Sequence, residues 1–391
     1  MGHFRGRNSI VQLTSTFYPL TEGNVSASAD GARIVKLVAS NRNTYRTVEY
    51  FRMADIKNWS SLGEPDAEFL EVAKSIGGAP DLGVFPTIQA MRDFLEQSKA
   101  ATQDLYGPIP GVSQRDHEVE MRDGKKIAVR TYHSESPPSD GSPLAVLYHG
   151  GGWCIGGLTN EELLCKLLVS KLGMTTVNVD YRLGPEHKFP TAHNDCLDAT
   201  KWAASNASSL GADPSKGFII GGTSAGGNIT ATVSHQWRDE KQSPPLTGSH
   251  LMIPAVVAAG HVPEEFAADY KSYGKLPNAA ILSHKAMDLF ADNYCPAEKR
   301  SDPIFSPLLW PTGHGGLPPQ YFQICGGDPL RDEALIYERL LREKEGTVTK
   351  VDMYPGQPHG FWSVFPQMKA SQKFIGDSVK GVEWLLQQKK K

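Results

Sequence analysis

The sequence predicts an α/β protein with a mostly parallel central sheet covered by helices on both faces. Three observations carry this. From residue 140 onward, short apolar runs alternate with helical stretches, as buried parallel strands and their crossover helices do. One such run, Leu144–Tyr148, leads straight into His149-Gly150-Gly151-Gly152-Trp153. Another, Lys216–Gly221, leads into Gly222-Thr223-Ser224-Ala225-Gly226, a G-x-S-x-G sequence placed between a strand and a helix.

The elements follow in order. His117–Met121 and Lys126–Tyr132 flank Asp123-Gly124, a tight-turn signal that predicts a hairpin. Leu144–Tyr148 is wholly apolar and reads as a buried strand. Thr159-Asn160-Glu161-Glu162 opens a helix to about Lys171, Thr175–Val179 is a β-branched strand, and Thr191–Ser205 is a helix. Ala225–Trp237 contains no proline and reads as the helix after the G-x-S-x-G turn. Leu251–Val256, Tyr321–Cys325 and Val348–Tyr354 read as the remaining strands.

The two glycine-rich segments carry the chemistry. A serine hydroxyl is a weak nucleophile at neutral pH and must be exposed beside a base. A sharp turn between strand and helix exposes it, and that turn needs small neighbours, here Gly222, Ala225, Gly226 and Gly227. Consecutive glycines at 150–152 let backbone N–H groups turn into a pocket, where they can stabilise the oxyanion of a tetrahedral intermediate. The pair therefore predicts Ser224 attacking a carbonyl. A base and its orienting acid should follow in the order Ser, Asp/Glu, His. Asp328 lies just past the carboxyl end of the strand Tyr321–Cys325, where open α/β sheets keep their sites. His359 lies on the loop between the last strand and the last helix.

With these residues in place, the chain resembles the hormone-sensitive-lipase-like esterases, the α/β-hydrolase fold-3 group, and its fungal members in particular. The matching segments are His149–Trp153, Asp180–His187, Gly222–Asn228, Asp328–Glu333 and His359-Gly360-Phe361, in family order across residues 115–390. The resemblance implies an α/β-hydrolase fold with a helical cap. It implies Ser224 as nucleophile, His359 as general base and acid, and Asp328 as its partner. Oxyanion donors would be the N–H groups of Gly151, Gly152 and Ala225, with His149 and Gly150 supporting the loop. It makes Arg182 and Glu186 structural, bracing the oxyanion loop through ion pairs. Thr223 departs from the commoner family form, which has Asp there; the variant is known in the family and bears on substrate choice.

Other candidates are weaker. Asp332 could replace Asp328, but is better placed to cap N–H groups in the first turn of the next helix. His187 and His193 precede the serine, the wrong order for a base, and read as surface or packing residues. Trp153 is open between lining the pocket and packing.

The resemblance implies a carboxylesterase acting on short to medium acyl esters. The alternative is a biosynthetic-pathway enzyme on a specialised metabolite: a lactone hydrolase, deacetylase, acyltransferase or dehydratase. A receptor that binds without turnover is disfavoured because His359 is present.

Composition agrees. The chain has 391 residues, enough for a large core, and a net charge of −3 without a basic stripe, which argues against nucleic acid. No run is long enough to span a bilayer, and no secretory signal is visible. The five cysteines show no C-x-x-C pairing; buried thiols in a reducing compartment, the cytoplasm, are expected. Neither metal-ligand spacing nor a dinucleotide motif appears, so no cofactor is expected. The expected partner is a small-molecule ester; a homodimer through edge strands, as in some relatives, stays open.

Domain organisation is read as follows. Residues 1–52, rich in Ser, Thr, Asn and Arg, read as an N-terminal extension, either disordered or upstream of the native start. The change of character at Met53-Ala54-Asp55 makes Met53 the expected start; intact mass showing residues upstream in the native protein would overturn that. Arg5 and Arg7, with no acid before Glu22, lend only faint presequence character. Residues 53–110 read as two cap helices. The first spans Pro65–Ile76 with Phe69, Val72, Ala73 and Ile76 on one face. The second starts at Pro86, with Ile88, Met91 and Leu95 in one stripe and Phe94 beside it. Residues 111–391 form the catalytic domain, with a second cap element inserted near 257–300 and a helix over Ser283–Asn293.

Overall fold

The computed structural model of the chain describes residues 59–97 and 109–388 in full, and the backbone alone of 25–27, 33–40, 44–51 and 98–102. Strands β1 (Val25–Ala27), β2 (Arg33–Ser40) and β3 (Thr44–Phe51) form an antiparallel sheet of their own, in that order. The rest of 1–58, and with it the readings of the extension and of Met53 as the start, lies outside the described residues.

The second unit, from Trp59 onward, contains the predicted sheet. The hairpin β4 (Val112–Glu120) and β5 (Lys126–Ser134) turns at Gly124, whose φ of +76° suits glycine. Then come β6 (Leu144–Tyr148), β7 (Thr175–Asp180), β8 (Phe218–Thr223), β9 (Gly248–Met252), β10 (Gln320–Cys325) and β11 (Thr349–Tyr354). Their order is β11-β10-β9-β8-β6-β7-β5-β4. All pairings from β7 to β11 are parallel; β5 is antiparallel to both β7 and β4. The strand read as Leu251–Val256 ends early, at Met252. Ile253 takes a positive φ of 43°, and Pro254 has no N–H for a ladder, so the chain leaves the sheet there.

The helices are α1 (Ala67–Ser75), α2 (Ile88–Thr102), α3 (Glu162–Leu172), α4 (Thr191–Ser205), α5 (Ala225–Asp239), α6 (Ser272–Lys275), α7 (His284–Tyr294), α8 (Arg331–Arg339), α9 (Phe361–Val364) and α10 (Lys369–Gln388). Side chains alternate across β6, so the sheet has two apolar faces. Leu144, Val146 and Tyr148 pack with Cys196 of α4 and Ile229 of α5. Ala145 and Leu147 pack with Leu168 of α3 and with Phe374 and Leu385 of α10.

Asp66 caps α1, accepting the N–H groups of Glu68 at 2.9 Å and Phe69 at 3.1 Å. Phe69 and Ala73 are buried, but Ile76, expected on the same face, is exposed. It occupies the C-cap, where the chain has already left helical geometry. In α2, Ile88 and Met91 are buried and Phe94 is exposed beside Phe85. Among the described residues no helix is long and apolar enough to cross a membrane. All five cysteines are buried free thiols.

Candidate active site

The site lies at the carboxyl ends of the parallel strands, where β8 turns into α5. Ser224 makes the turn with φ 55° and ψ −111°, a conformation unusual for a residue with a side chain. Its N–H donates to the Met252 carbonyl at 2.8 Å. The flanking glycines are needed for close approach. A Cβ on Gly222 would sit 2.5 Å from the Gly226 backbone, and one on Gly226 would collide with the Tyr148 carbonyl.

The structure brings Ser224, His359 and Asp328 together. Ser224 Oγ is 2.8 Å from His359 Nε2, and His359 Nδ1 is 2.7 Å from Asp328 Oδ2. Asp328 Oδ1 also accepts the Leu330 N–H at 2.9 Å. A carboxylate beside Nδ1 holds the ring proton there, leaving the Nε2 lone pair for the serine proton. Asp328 and His359 are both buried, so the pair is shielded from bulk water.

The loop after β6 turns tightly: Gly151 O accepts the N–H groups of Cys154 at 3.0 Å and Ile155 at 2.9 Å. Gly151 and Gly152 have φ of 122° and 55°, and their own N–H groups donate to nothing among the described residues. A Cβ on Gly152 would strike the Phe290 ring. His149 stacks on Tyr181 at 4.0 Å, Tyr181 Oη donates to the His149 carbonyl at 2.8 Å, and His149 Nδ1 lies 2.7 Å from the Gly150 carbonyl. His149 and Gly150 thus sit in the loop's support.

The competing residues go elsewhere. Asp332 is in the first turn of α8, but its Oδ2 accepts the N–H groups of Lys271 at 2.8 Å and Ser272 at 2.6 Å. It holds the start of α6 instead of capping its own helix. His187 is exposed. His193 is buried between Tyr294 and Asn228, and burial lowers its pKa to about 4. Trp153 both lines the cavity and stacks on Tyr294.

The expected braces divide. Glu186 reaches the glycine loop after β6 through Arg92 of α2. Arg92 bonds both Glu186 oxygens, at 2.7 and 3.0 Å, and donates to the carbonyls of Cys154 at 2.9 Å and Gly184 at 2.7 Å. Arg182 instead binds Asp195 on α4 and Asp123 in the hairpin turn. Sequence reading missed Arg92 because it attended only to the apolar stripe of α2. It also passed over Glu333 in the first turn of α8, five residues past Asp328. Burial raises the Glu333 carboxyl to about 8, although the Val256 and Val257 N–H groups bond to it.

Ser224, His359, Gly151 and Gly152 open on one cavity of about 320 Å³. Leu82 and Leu95 from the first predicted cap, Met287 and Phe290 from the second, and Trp362 of α9 make its wall largely apolar. Among the described residues no cluster of His, Cys, Asp and Glu has the arrangement of a metal site.

The family model described as alpha/beta hydrolase fold matches residues 145–363, more than half of the chain. The chain belongs to the α/β-hydrolase fold-3 family. This α/β-hydrolase is 43% identical over 305 residues to an AB hydrolase superfamily protein of Schizosaccharomyces pombe, covering 78% of this chain and 89% of that one. It is 37% identical over 270 residues to the versiconal hemiacetal acetate esterase of Dothistroma septosporum, covering 68% and 80%. The crystal structure of vibralactone cyclase superposes with a TM-score of 0.78 at 35% identity, covering 85% of this chain and 97% of that one. Carboxylesterases are among its further relatives, and the α/β-hydrolase is a carboxylic ester hydrolase.

Proposed function

We propose that this enzyme is a serine carboxylesterase that hydrolyses short to medium acyl esters through an acyl-enzyme on Ser224. The observation that carries the reading is the unbroken chain Ser224–His359–Asp328, opening on the same cavity as the undonated Gly151 and Gly152 amides. His359 takes the Ser224 proton as Oγ attacks the ester carbonyl. The oxyanion meets the N–H groups of Gly151, Gly152 and Ala225. Protonated His359, held by Asp328, gives its proton to the leaving alkoxide. Water then repeats the sequence on the acyl-enzyme and releases the acid. The described part of the first cap segment, from which Leu82 and Leu95 line the cavity, and the insertion near 257–300 act as the cap that excludes water and shapes the pocket.

The test is turnover of p-nitrophenyl esters from acetyl to dodecanoyl, with Ser224→Ala as control. Activity that survives in Ser224→Ala removes the serine mechanism. A second reading, a pathway enzyme acting on a specialised metabolite, is favoured by the likeness to the versiconal hemiacetal acetate esterase and to vibralactone cyclase. Product analysis separates the two: hydrolysis yields free acid, acyl transfer a new ester, and dehydration or cyclisation neither.

A further inference from the structure

We propose that Glu161 is a positioning residue that fastens the oxyanion loop to the nucleophile turn by engaging Gly150 and Thr223 together. The inference rests on the serine-esterase reading of the same site.

Glu161 occupies the N-cap position of α3, yet its side chain caps no helical N–H group. It turns into the wall of the cavity that holds Ser224 and is only 6% exposed. Gly150 and Thr223 line the same cavity wall as Glu161, and the Thr223 hydroxyl and the Gly150 N–H are the donors that favour the charged form of its carboxyl. The Thr223 hydroxyl also lies 3.7 Å from Met252 Sδ, a weak acceptor. Gly150 lies directly against Thr223: a Cβ on Gly150 would sit 3.0 Å from the Thr223 carbonyl oxygen and 3.3 Å from its Cγ2. The two segments thus meet at a seam, and Glu161 spans it.

The seam matters because the oxyanion hole is built from both sides. Gly151 and Gly152 follow Gly150, and Ala225 follows Thr223 by two residues. Their N–H groups converge on one oxygen only if the seam stays closed. Burial pushes the Glu161 carboxyl up to about 7, against the two donors that favour its charge. Its titratable neighbours Cys165 and Tyr181 are themselves buried, with burial raising both above their ordinary values. Thr223 is the complement of Glu161. A hydroxyl can donate to the carboxyl, whereas an aspartate at 223 would set two carboxyl groups against each other.

The experiment measures kcat, KM and affinity for an alkyl trifluoromethyl ketone, which adds to the serine as a tetrahedral oxyanion. The variants are Glu161→Leu, Glu161→Gln, Thr223→Asp and Thr223→Asp/Glu161→Gln, with thermal melts to establish folding. In Glu161→Leu, kcat and ketone affinity should fall together by about 10²-fold while KM moves little. Glu161→Gln should keep most of both, since its amide oxygen still accepts. Thr223→Asp should fall as Glu161→Leu does, and adding Glu161→Gln should relieve the loss, because the amide can donate to the aspartate. A folded Glu161→Leu with wild-type kcat and ketone affinity overturns the proposal. Should Glu161→Leu not fold, a Thr223→Asp variant with no loss, or a loss the second substitution does not relieve, overturns it. An active Ser224→Ala would instead remove the underlying esterase reading. An inactive Ser224→Ala beside silent Glu161 and Thr223 variants removes only the role of Glu161.

Discussion

Arg92 of α2 donates from Nε to the carbonyl of Cys154, 2.9 Å away, and so joins a helix outside the central sheet to the end of the glycine loop that follows β6. The same guanidinium grips Glu186 through two nitrogens. A planar fork can serve all these acceptors at once, and a point charge cannot. Arg92→Ala should therefore lower kcat/KM by about 10-fold with the fold intact, roughly the value of losing charge-assisted bonds. Arg92→Lys should not restore it. Wild-type ester kinetics in both variants would show that the loop keeps its shape without the clamp.

In the proposed mechanism Asp328 acts through the tautomer of His359, whose Nδ1 is 2.7 Å from its Oδ2. Asp328→Asn keeps the volume but offers an N–H where the ring needs an acceptor, so the Nε2 lone pair facing Ser224 is lost. We expect kcat to fall by about 10³-fold or more, with little change in KM. Steady-state kinetics on p-nitrophenyl butyrate check this. A loss confined to KM would point to a binding role.

Phe290 of α7 lies against Gly152 in the cavity wall. Removing its ring opens space beside Gly152, where the proposed mechanism places the ester carbonyl. Phe290→Ala should shift the chain-length optimum towards longer acyl esters. It should also lower stability by about 3–5 kcal/mol, since the ring is buried. An unchanged optimum in the ester series would place the acyl chain elsewhere.

The buried pair Arg331 and Asp332, 2.7 Å apart, is both an ion pair and the anchor of α6. Asp332→Ala would leave the guanidinium uncompensated and two N–H groups without an acceptor. Urea unfolding should show a loss of about 3–5 kcal/mol. A change within 0.5 kcal/mol, roughly that of an ordinary surface substitution, would be inconsistent with that role.

Glu333 links stability to pH. Its carboxyl is raised from 4.5 to about 8 in the folded protein, chiefly by burial. The folded state therefore holds a proton that the unfolded state has released. The contribution is fully present below pH 4.5 and is lost as pH rises through about 8. Its slope is at most about 1.4 kcal/mol per pH unit. Glu333→Gln should flatten this decline relative to wild type between those limits. Parallel stability curves for the two proteins would contradict it.

The sequence by itself determined the sheet, its main helices and the chain order of Ser224, Asp328 and His359. Each rests on local rules. A buried strand must be apolar, as Leu144–Tyr148 is. A tight strand-to-helix turn must be small, as Gly222–Gly226 is. The Ser224, Asp328 and His359 loops then fall at the same sheet edge because parallel strands share one direction. The tertiary structure alone decided which polar side chains meet. Arg92 and Cys154 are 62 positions apart and Asp332 and Ser272 are 60, and no periodicity relates either pair. A carboxylate in a first helical turn, such as Asp332, reads from sequence as its own helix's cap. Only packing shows that another helix start lies closer. The early end of β9 shows the same limit: the apolar run continues to Val256, but Pro254 and the turn at Ile253 send it out of the sheet to line the cavity. Local pattern fixes what each segment can form, and long-range contact fixes what each side chain is used for.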